Sequence, residues 1–278
     1  MKDRNITSKK ELAQWLGVSR AILYYRPRQF IKDWDLKVKI EEALSKPPCH
    51  SYGHKRLAWH LGVNKKRTLR VMKMFGIKPY RRRKKGKYKK TKDLSDKYPN
   101  LLVTNMPQHL NHIWASDFTR ISCGGKIIYL ATVIDILTRE VIGFSVSTGH
   151  GVTLIINAFL SAISIHGPPE IIHSDQGSEY TSKAYTSLVE NLGTRISMSR
   201  KGCPWENGYQ ESFYDKLKVD LGDSDRFDDI GELIAEIYMT VYLYNTERIH
   251  TKLKMPPRQY AILKQLTNQG LKTIHKDV

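Results

Sequence analysis

Asp117 sits in IWASDFTRI (Ile113–Ile121), a run of β-branched and aromatic residues that reads as a strand. Alternation puts it on the face of Ile113, Ala115, Thr119 and Ile121, where a lone carboxylate is expensive to bury. Asp175 closes the short apolar strand of EIIHSDQG just before Gly177, and strand ends in α/β sheets are where sites assemble. Glu211 lies in ENGYQESFYDKLKVDLG. There Asn207 and Gln210 read as an N-cap and its N3 partner, which places Glu211 in the first turn of a helix. At ~100° per residue, Asp215 and Lys218 share its face. Three such acids converge only if something offsets their repulsion. Mg2+ would do so, with Mn2+ as a substitute, because hard cations take oxygen ligands. Two ions roughly 4 Å apart would activate a water or a 3′-hydroxyl and stabilise the leaving oxygen of a phosphodiester. Each acid alone is more simply an ion-paired or solvated carboxylate; the three together point to phosphoryl transfer.

The elements that must position them form the second half of the chain. NHIWASDFTRI, KIIYLATVIDIL and REVIGFSVS read as three successive strands, the first pair joined at SCGGK. VTLIINAFLSAISIHG is a helix stopped by Gly167-Pro168-Pro169. A strand, a helix (SKAYTSLVENLG), a strand (RISMS) and a long helix follow. This order predicts an α/β layered sheet with mixed strand directions.

Ahead of it lies a basic, helical region. The chain of 278 residues carries a net charge of +19, and between Lys55 and Lys92 there are 17 Lys or Arg and no Asp or Glu. KPYRRRKKGKYKKTK (Lys78–Lys92) alone has ten basic residues in fifteen. A solvated or localisation tract would look similar, but phosphate neutralisation with counterion release is the simplest use of so many cations next to structured segments. Thr7–Gln29 reads as helix, turn at Gly17, helix, with Ser8 and Glu11 as a capping box, Leu12, Trp15 and Leu16 as an apolar stripe, and Pro27 as the stop. It is a helix-turn-helix outline that would carry Ser19 and Arg20 to DNA, or else a plain helical hairpin. Leu36–Ile77 repeats that grammar, with Lys65, Lys66, Arg67 and Arg70 on exposed faces, and Arg81, Arg82 and Arg83 follow. Cys49, His50, His54 and His60 lack the paired spacing of a zinc finger. Three scattered cysteines fit a reducing cytoplasm, and the charged start and the absence of a long apolar run suggest neither export nor a membrane span. The expected boundaries are 1–86 for the helical head, 87–107 for a basic and polar linker, 108–225 for the catalytic core and 226–278 for a C-terminal helical extension.

Thirty-five residues separate Asp175 from Glu211, and this D…D-x35-E spacing resembles the integrase core of retroviral integrases and insertion-sequence transposases. WASDFT (Trp114–Thr119), HSDQGSEY (His173–Tyr180), SMSRKG (Ser197–Gly202), ESFYDKLK (Glu211–Lys218) and YNTERIHTKL (Tyr244–Leu253) followed by PPRQY make the chain similar to the second-frame transposase of the "insertion sequence three" family. YGHKRLAWHLGVNKKRTLRVMKMFGI resembles that family's helical DNA-binding subdomain. The resemblance implies a ribonuclease H-like fold with a mixed five-stranded sheet and flanking helices. It implies Asp117, Asp175 and Glu211 as the metal-holding catalytic triad and Lys218 as a contact to DNA near the cleaved end. It also implies nicking and strand transfer at double-stranded element ends by a homo-oligomer, without a covalent intermediate. The setting would be the bacterial cytoplasm, on the nucleoid, and an upstream-frame helix-turn-helix protein could join by frameshifting.

Departures exist. Glu206-Asn207-Gly208 stands where the family has Asp-Asn-Ala, which makes Glu206 a rival third ligand at a spacing of thirty. Ile249 and Lys254 replace a common proline and glycine, and Asp135 reads as a structural partner rather than a ligand. A DNA-binding regulator with an inert core and a nuclease acting on RNA–DNA hybrids are the competing functions.

Overall fold

A parallel strand pairing sets the geometry of the site. In the computed structural model, which describes residues 8–24, 28–81, 98–200 and 202–268, five strands form one sheet in the order β3-β2-β1-β4-β5. They are β1 (Ile113–Cys123), β2 (Lys126–Asp135), β3 (Val141–Ser147), β4 (Ile171–Ser174) and β5 (Arg195–Met198). β1, β2 and β3 run antiparallel, whereas β4 pairs in parallel with both β1 and β5. The β1–β2 hairpin turns at Gly124 and Gly125, both at positive φ (54° and 77°), as a two-residue turn matched to strand twist requires.

Helices cover both faces. Helices α6 (Val152–His166) and α7 (Lys183–Asn191) close one face, where Trp114, Ala131, Phe159, Tyr185 and Val189 share a core. Gly143 is required there, because a Cβ would lie 2.6 Å from the Ala158 carbonyl oxygen on α6. The other face carries α8 (Gly208–Leu221) and α9 (Ile230–Thr246), whose Phe213, Leu217, Leu233, Ile237 and Val241 pack on Ile121, Ile128 and Leu130. A further helix, Pro257–Asn268, follows.

The head holds two helical units. In the first, α1 (Lys9–Trp15) is capped by Ser8, whose side chain accepts from the Glu11 N–H, and the turn passes through Gly17 at φ +65° into α2 (Arg20–Tyr24). The expected apolar stripe does not become a core: Trp15 is 69% exposed, Leu16 and Ile22 are also exposed, and Ala13 is the one buried side chain described in this unit. Helices of seven and five residues offer too little surface to enclose it. Pro27 lies outside the described residues.

The second unit has its own core. Leu36 and Ile40 on α3 (Arg28–Leu44) pack on Tyr52, on Leu57 of α4 (His54–His60) and on Val71 and Met72 of α5 (Lys65–Met74). It is joined to the sheet domain by buried bonds. Arg248 donates to the Pro48 carbonyl (3.1 Å), to Ser51 Oγ (3.0 Å) and to Asp220, while the Ile249 N–H donates to the Tyr52 hydroxyl (2.7 Å). No helix among the described residues is long and apolar enough to cross a membrane.

Candidate active site

Register brings the two aspartates side by side. Ile113 pairs with Ile171 and Ala115 with His173 on adjacent parallel strands, so Asp117 and Asp175 each lie two residues beyond the last matched pair. Gly177 keeps its neighbour in place: its N–H donates to Asp175 Oδ1 (2.9 Å), and a Cβ there would come within 3.0 Å of the same oxygen. The Phe118 N–H donates to Asp117 Oδ1 (2.8 Å).

A ladder of polar contacts lays α8 along β1. Gln210 donates to the Ala115 carbonyl (2.6 Å), Tyr214 to the Asp117 carbonyl (2.6 Å) and Lys218 to Thr119 Oγ1 (2.6 Å). Steps of four residues on a helix rise ~6 Å and steps of two on a strand ~6.7 Å, so the two elements keep pace for three contacts. Gln210 also donates to the Thr132 carbonyl (3.1 Å) and accepts from the Thr132 hydroxyl (2.9 Å). Glu211 follows this fully buried glutamine and so lies beside the stretch of β1 between Ala115 and Asp117.

This corrects one reading. Asn207 stands just before α8 but makes no capping bond, and its Oδ1 is buried without a partner among the described residues. Gln210 is not a capping partner; the sheet takes it, because a buried amide between two strands satisfies more backbone groups there than at a helix end. The ladder residues were missed by sequence reasoning. The signal was present as polar groups at i, i+4 and i+8 (Gln210, Tyr214, Lys218), each directly after an aromatic or apolar residue (Tyr209, Phe213, Leu217).

The carboxyl groups sense one another. Asp117 is pushed up to about 7, first by burial and then by the charge of Asp175, with Glu211 adding and the Phe118 N–H and Lys218 opposing. Asp175 is raised by burial and by Glu179, against the Gly177 N–H. Glu211 is raised by burial and by Asp215, its neighbour one turn on. Beneath the site His173 Nδ1 lies 2.8 Å from Ser197 Oγ, and burial holds this histidine down to about 4, neutral.

An all-oxygen set of acids whose repulsion is unrelieved suits a hard divalent cation, which would draw the charges together. Among the described residues, no group of three or more His, Cys, Asp or Glu is gathered tightly enough to enclose an ion as the side chains stand. Glu206, the rival ligand, is already engaged: Arg200 donates to it from its backbone (2.7 Å) and guanidinium (2.8 Å), and Asn100 from its amide (2.9 Å). Asp135 accepts from the Asn111 N–H (2.9 Å) and the Thr138 N–H (2.8 Å), a structural role.

The basic residues separate. Arg20, Lys65, Lys66 and Arg81 are exposed on the head, and Arg82 and Arg83 lie outside the described residues. Arg67 and Arg70 are bonded internally to the buried Asp33 of α3, Arg70 at 2.7 Å.

The integrase core domain family matches residues 107–204 and again 192–257. The transposase for insertion sequence element IS904 of Lactococcus lactis is 36% identical over 196 residues, covering 69% of this chain and 77% of that protein. Transposase InsF for IS3A of Escherichia coli is 33% identical over 144 residues, 51% of this chain and 50% of that one. Among solved structures, the HTLV-2 integrase catalytic core domain, determined in complex with magnesium, is 21% identical at a TM-score of 0.47, covering 55% of this chain and 98% of that one. The mixed five-stranded sheet with helices on both faces thus carries an integrase core, and this chain belongs to the family of insertion-sequence transposases.

Proposed function

We propose that the chain binds the ends of its element and catalyses divalent-metal-dependent hydrolysis and strand transfer of DNA through Asp117, Asp175 and Glu211. The observation that carries this reading is the strand register that aligns Asp117 with Asp175, beside a helix bearing Glu211 that is bonded along the same strand. The three carboxylates would hold Mg2+ or Mn2+, two ions in the working site. The metal supplies Lewis-acid activation of the attacking oxygen and charge stabilisation at the leaving oxygen. The chain contributes the rest. Gln210 and Tyr214 fix α8 so that Glu211 stays beside β1, and Gly177 orients Asp175. Lys218, positioned by Thr119, offers an ammonium to a phosphate on the same helix face as Glu211. Arg20, Lys65, Lys66 and Arg81 to Arg83 are the proposed contacts of the head to the DNA backbone, with Arg67 and Arg70, though bonded to Asp33, still partly exposed and able to add to them. The neutral His173 adds no cation beneath the acids.

Assembly as a homo-oligomer on paired ends, and an upstream-frame partner, belong to the same reading. The test uses Asp117→Asn and Glu211→Gln with labelled element ends. Both should bind ends normally and lose nicking and joining in Mg2+ and Mn2+. Variants that still joined pre-cut ends at the normal rate would remove the mechanism. A wild type that cut RNA–DNA hybrids yet never joined ends would make the chain a hydrolytic nuclease.

A further inference from the structure

A cavity of about 830 Å3 opens on the side of α8 turned away from the catalytic acids. Ser212 and Lys216 line it, and at ~100° per residue they stand roughly a third of a turn from Glu211 and Asp215. Its remaining walls come from distant stretches: Arg56 on α4, Leu102 ahead of β1, Arg139 in the β2–β3 turn, and Arg248 to Lys252 after α9.

The walls are cationic and poorly matched. Arg56, Arg139, Lys216, Arg248, His250 and Lys252 all face it, whereas Glu206 is the one carboxylate among the described lining residues and is engaged by Arg200 and Asn100. Arg248 is matched by Asp220. Arg139 is different. It is only 8% exposed, its Nε has no partner among the described residues, and its backbone is held at φ +65°, a conformation that costs an arginine energy. His250 Nδ1 is likewise buried and unpartnered among the described residues. Burial, and after it Arg139, Arg56, Lys216 and Arg248, hold His250 down to about 4, so the cluster repels any further positive charge. A buried guanidinium and a buried imidazole nitrogen that face a cavity without partners among the described residues are explained by an anion that arrives from outside.

The cavity also has aromatic surfaces. Tyr209 lies under the Arg139 guanidinium, 4.1 Å from ring centre to its carbon, and Trp205 stands 56% exposed at the wall. Tyr209 is taken up by Arg139 and by the core behind it, so Trp205 is the ring left open, and a cation for a phosphate beside a flat exposed ring for a base is the chemistry that recognises an unpaired nucleotide. The volume is larger than an inorganic phosphate needs and falls within the roughly 300–1,000 Å3 of organic-ligand sites. Trp205 and Tyr209 stand six and two residues before Glu211, so a strand passing the catalytic acids would reach this pocket across the start of α8.

We propose that this cavity takes one unpaired nucleotide of a DNA strand running past the N-terminal end of α8, its phosphate among Arg139, Lys216 and His250 and its base against Trp205. The assignment rests on the reading of the chain as one that acts on DNA ends, and goes beyond it by adding a site for a strand that is no longer paired. The experiment is fluorescence anisotropy of the full chain with labelled element-end duplexes, blunt or with a short single-stranded overhang, in EDTA, so that no cleavage contributes. Wild type should prefer the overhang. Trp205→Ala and Lys216→Gln, both away from the deepest packing, should each weaken overhang binding roughly fivefold or more while leaving the blunt duplex unchanged. Lys216→Gln should also flatten the salt dependence by about one phosphate contact. Arg139→Gln, checked for folding by circular dichroism, should do the same. Equal weakening of both duplexes, or no weakening of either, overturns the pocket. Competition by a free mononucleotide at micromolar concentration, with overhang binding untouched by the variants, overturns the strand assignment. Asp117→Asn should keep the overhang preference, which separates failure here from failure of the catalytic reading.

Discussion

Replacing Asp117 by asparagine should stabilise the metal-free protein while ending its chemistry. The wild-type carboxyl rises from 3.8 in the unfolded chain to about 7 in the fold. A group whose folded pKa is raised disfavours folding increasingly as pH climbs from the lower value to the upper one, and fully above it. At ~1.36 kcal/mol per pH unit the full penalty is about 4 kcal/mol. The side chain is half-buried rather than sealed, so solvent screening reduces this to roughly 2 kcal/mol. Asparagine keeps an acceptor for the Phe118 N–H and loses the charge. For a chain of this size the gain corresponds to roughly 3–4 °C in Tm. Thermal unfolding followed by circular dichroism in EDTA should therefore show the variant above wild type at pH 8, with the gap closing as pH falls toward 4. Adding Mn2+ should raise the wild-type Tm and leave the variant nearly unmoved, since cation binding stabilises only the fold that can hold it. A variant equal to or below wild type in EDTA at pH 8 would refute the electrostatic account, and equal metal-induced shifts would refute the ligand assignment.

Gly177→Ala places a methyl carbon 3.0 Å from Asp175 Oδ1 and should turn that carboxylate away; joining assays should fall at least about tenfold with stability changed by roughly 1 kcal/mol or less. Gln210→Ala leaves the Ala115 and Thr132 carbonyls without their donor and frees the start of α8, so urea unfolding should show a loss of roughly 2–4 kcal/mol and end joining should drop in parallel. Retained joining with lost stability would break the link between the ladder and Glu211. Arg248→Met strands Asp220, whose side chain is 5% exposed, and should cost about 3–5 kcal/mol, largely recovered in the double variant with Asp220→Leu; equal losses in both would mean that the buried charge is not the cause.

The strands were legible because their patterns are local. β-branched residues, the Gly124-Gly125 turn and the stop after His166 sit within a few residues of what they specify. The three acids could be singled out only together, by their spacing along the chain, since each alone, Glu211 on an exposed helix face included, reads as an ordinary carboxylate. What escaped depends on distance along the chain. Arg67 and Arg70 are surface cations as read, but their ion pairs with the buried Asp33 were out of reach because Asp33 lies 34 and 37 residues earlier. Gln210 fits a capping pattern by spacing alone, and only the arrival of β1 and β2 decides the competition for its amide. The apolar side chains of the first helical pair obey helical periodicity and still find nothing to bury against, since periodicity specifies a face and not what covers it. The cationic cavity was invisible for the same reason: its six basic residues come from segments as far apart as Arg56 and Lys252.

The Arg248 junction bears on how this protein can be dissected. One guanidinium ties together stretches 200 residues apart, so the covalent border between head and sheet domain is not a physical border. A fragment trimmed to the integrase core would carry an open wound: Asp220 stripped of Ser51 and His50, and Ile249 without the hydroxyl that receives its amide. Work on an excised catalytic unit should therefore begin by redesigning that scar, and crystals of such a fragment would report on a surface the intact molecule never shows.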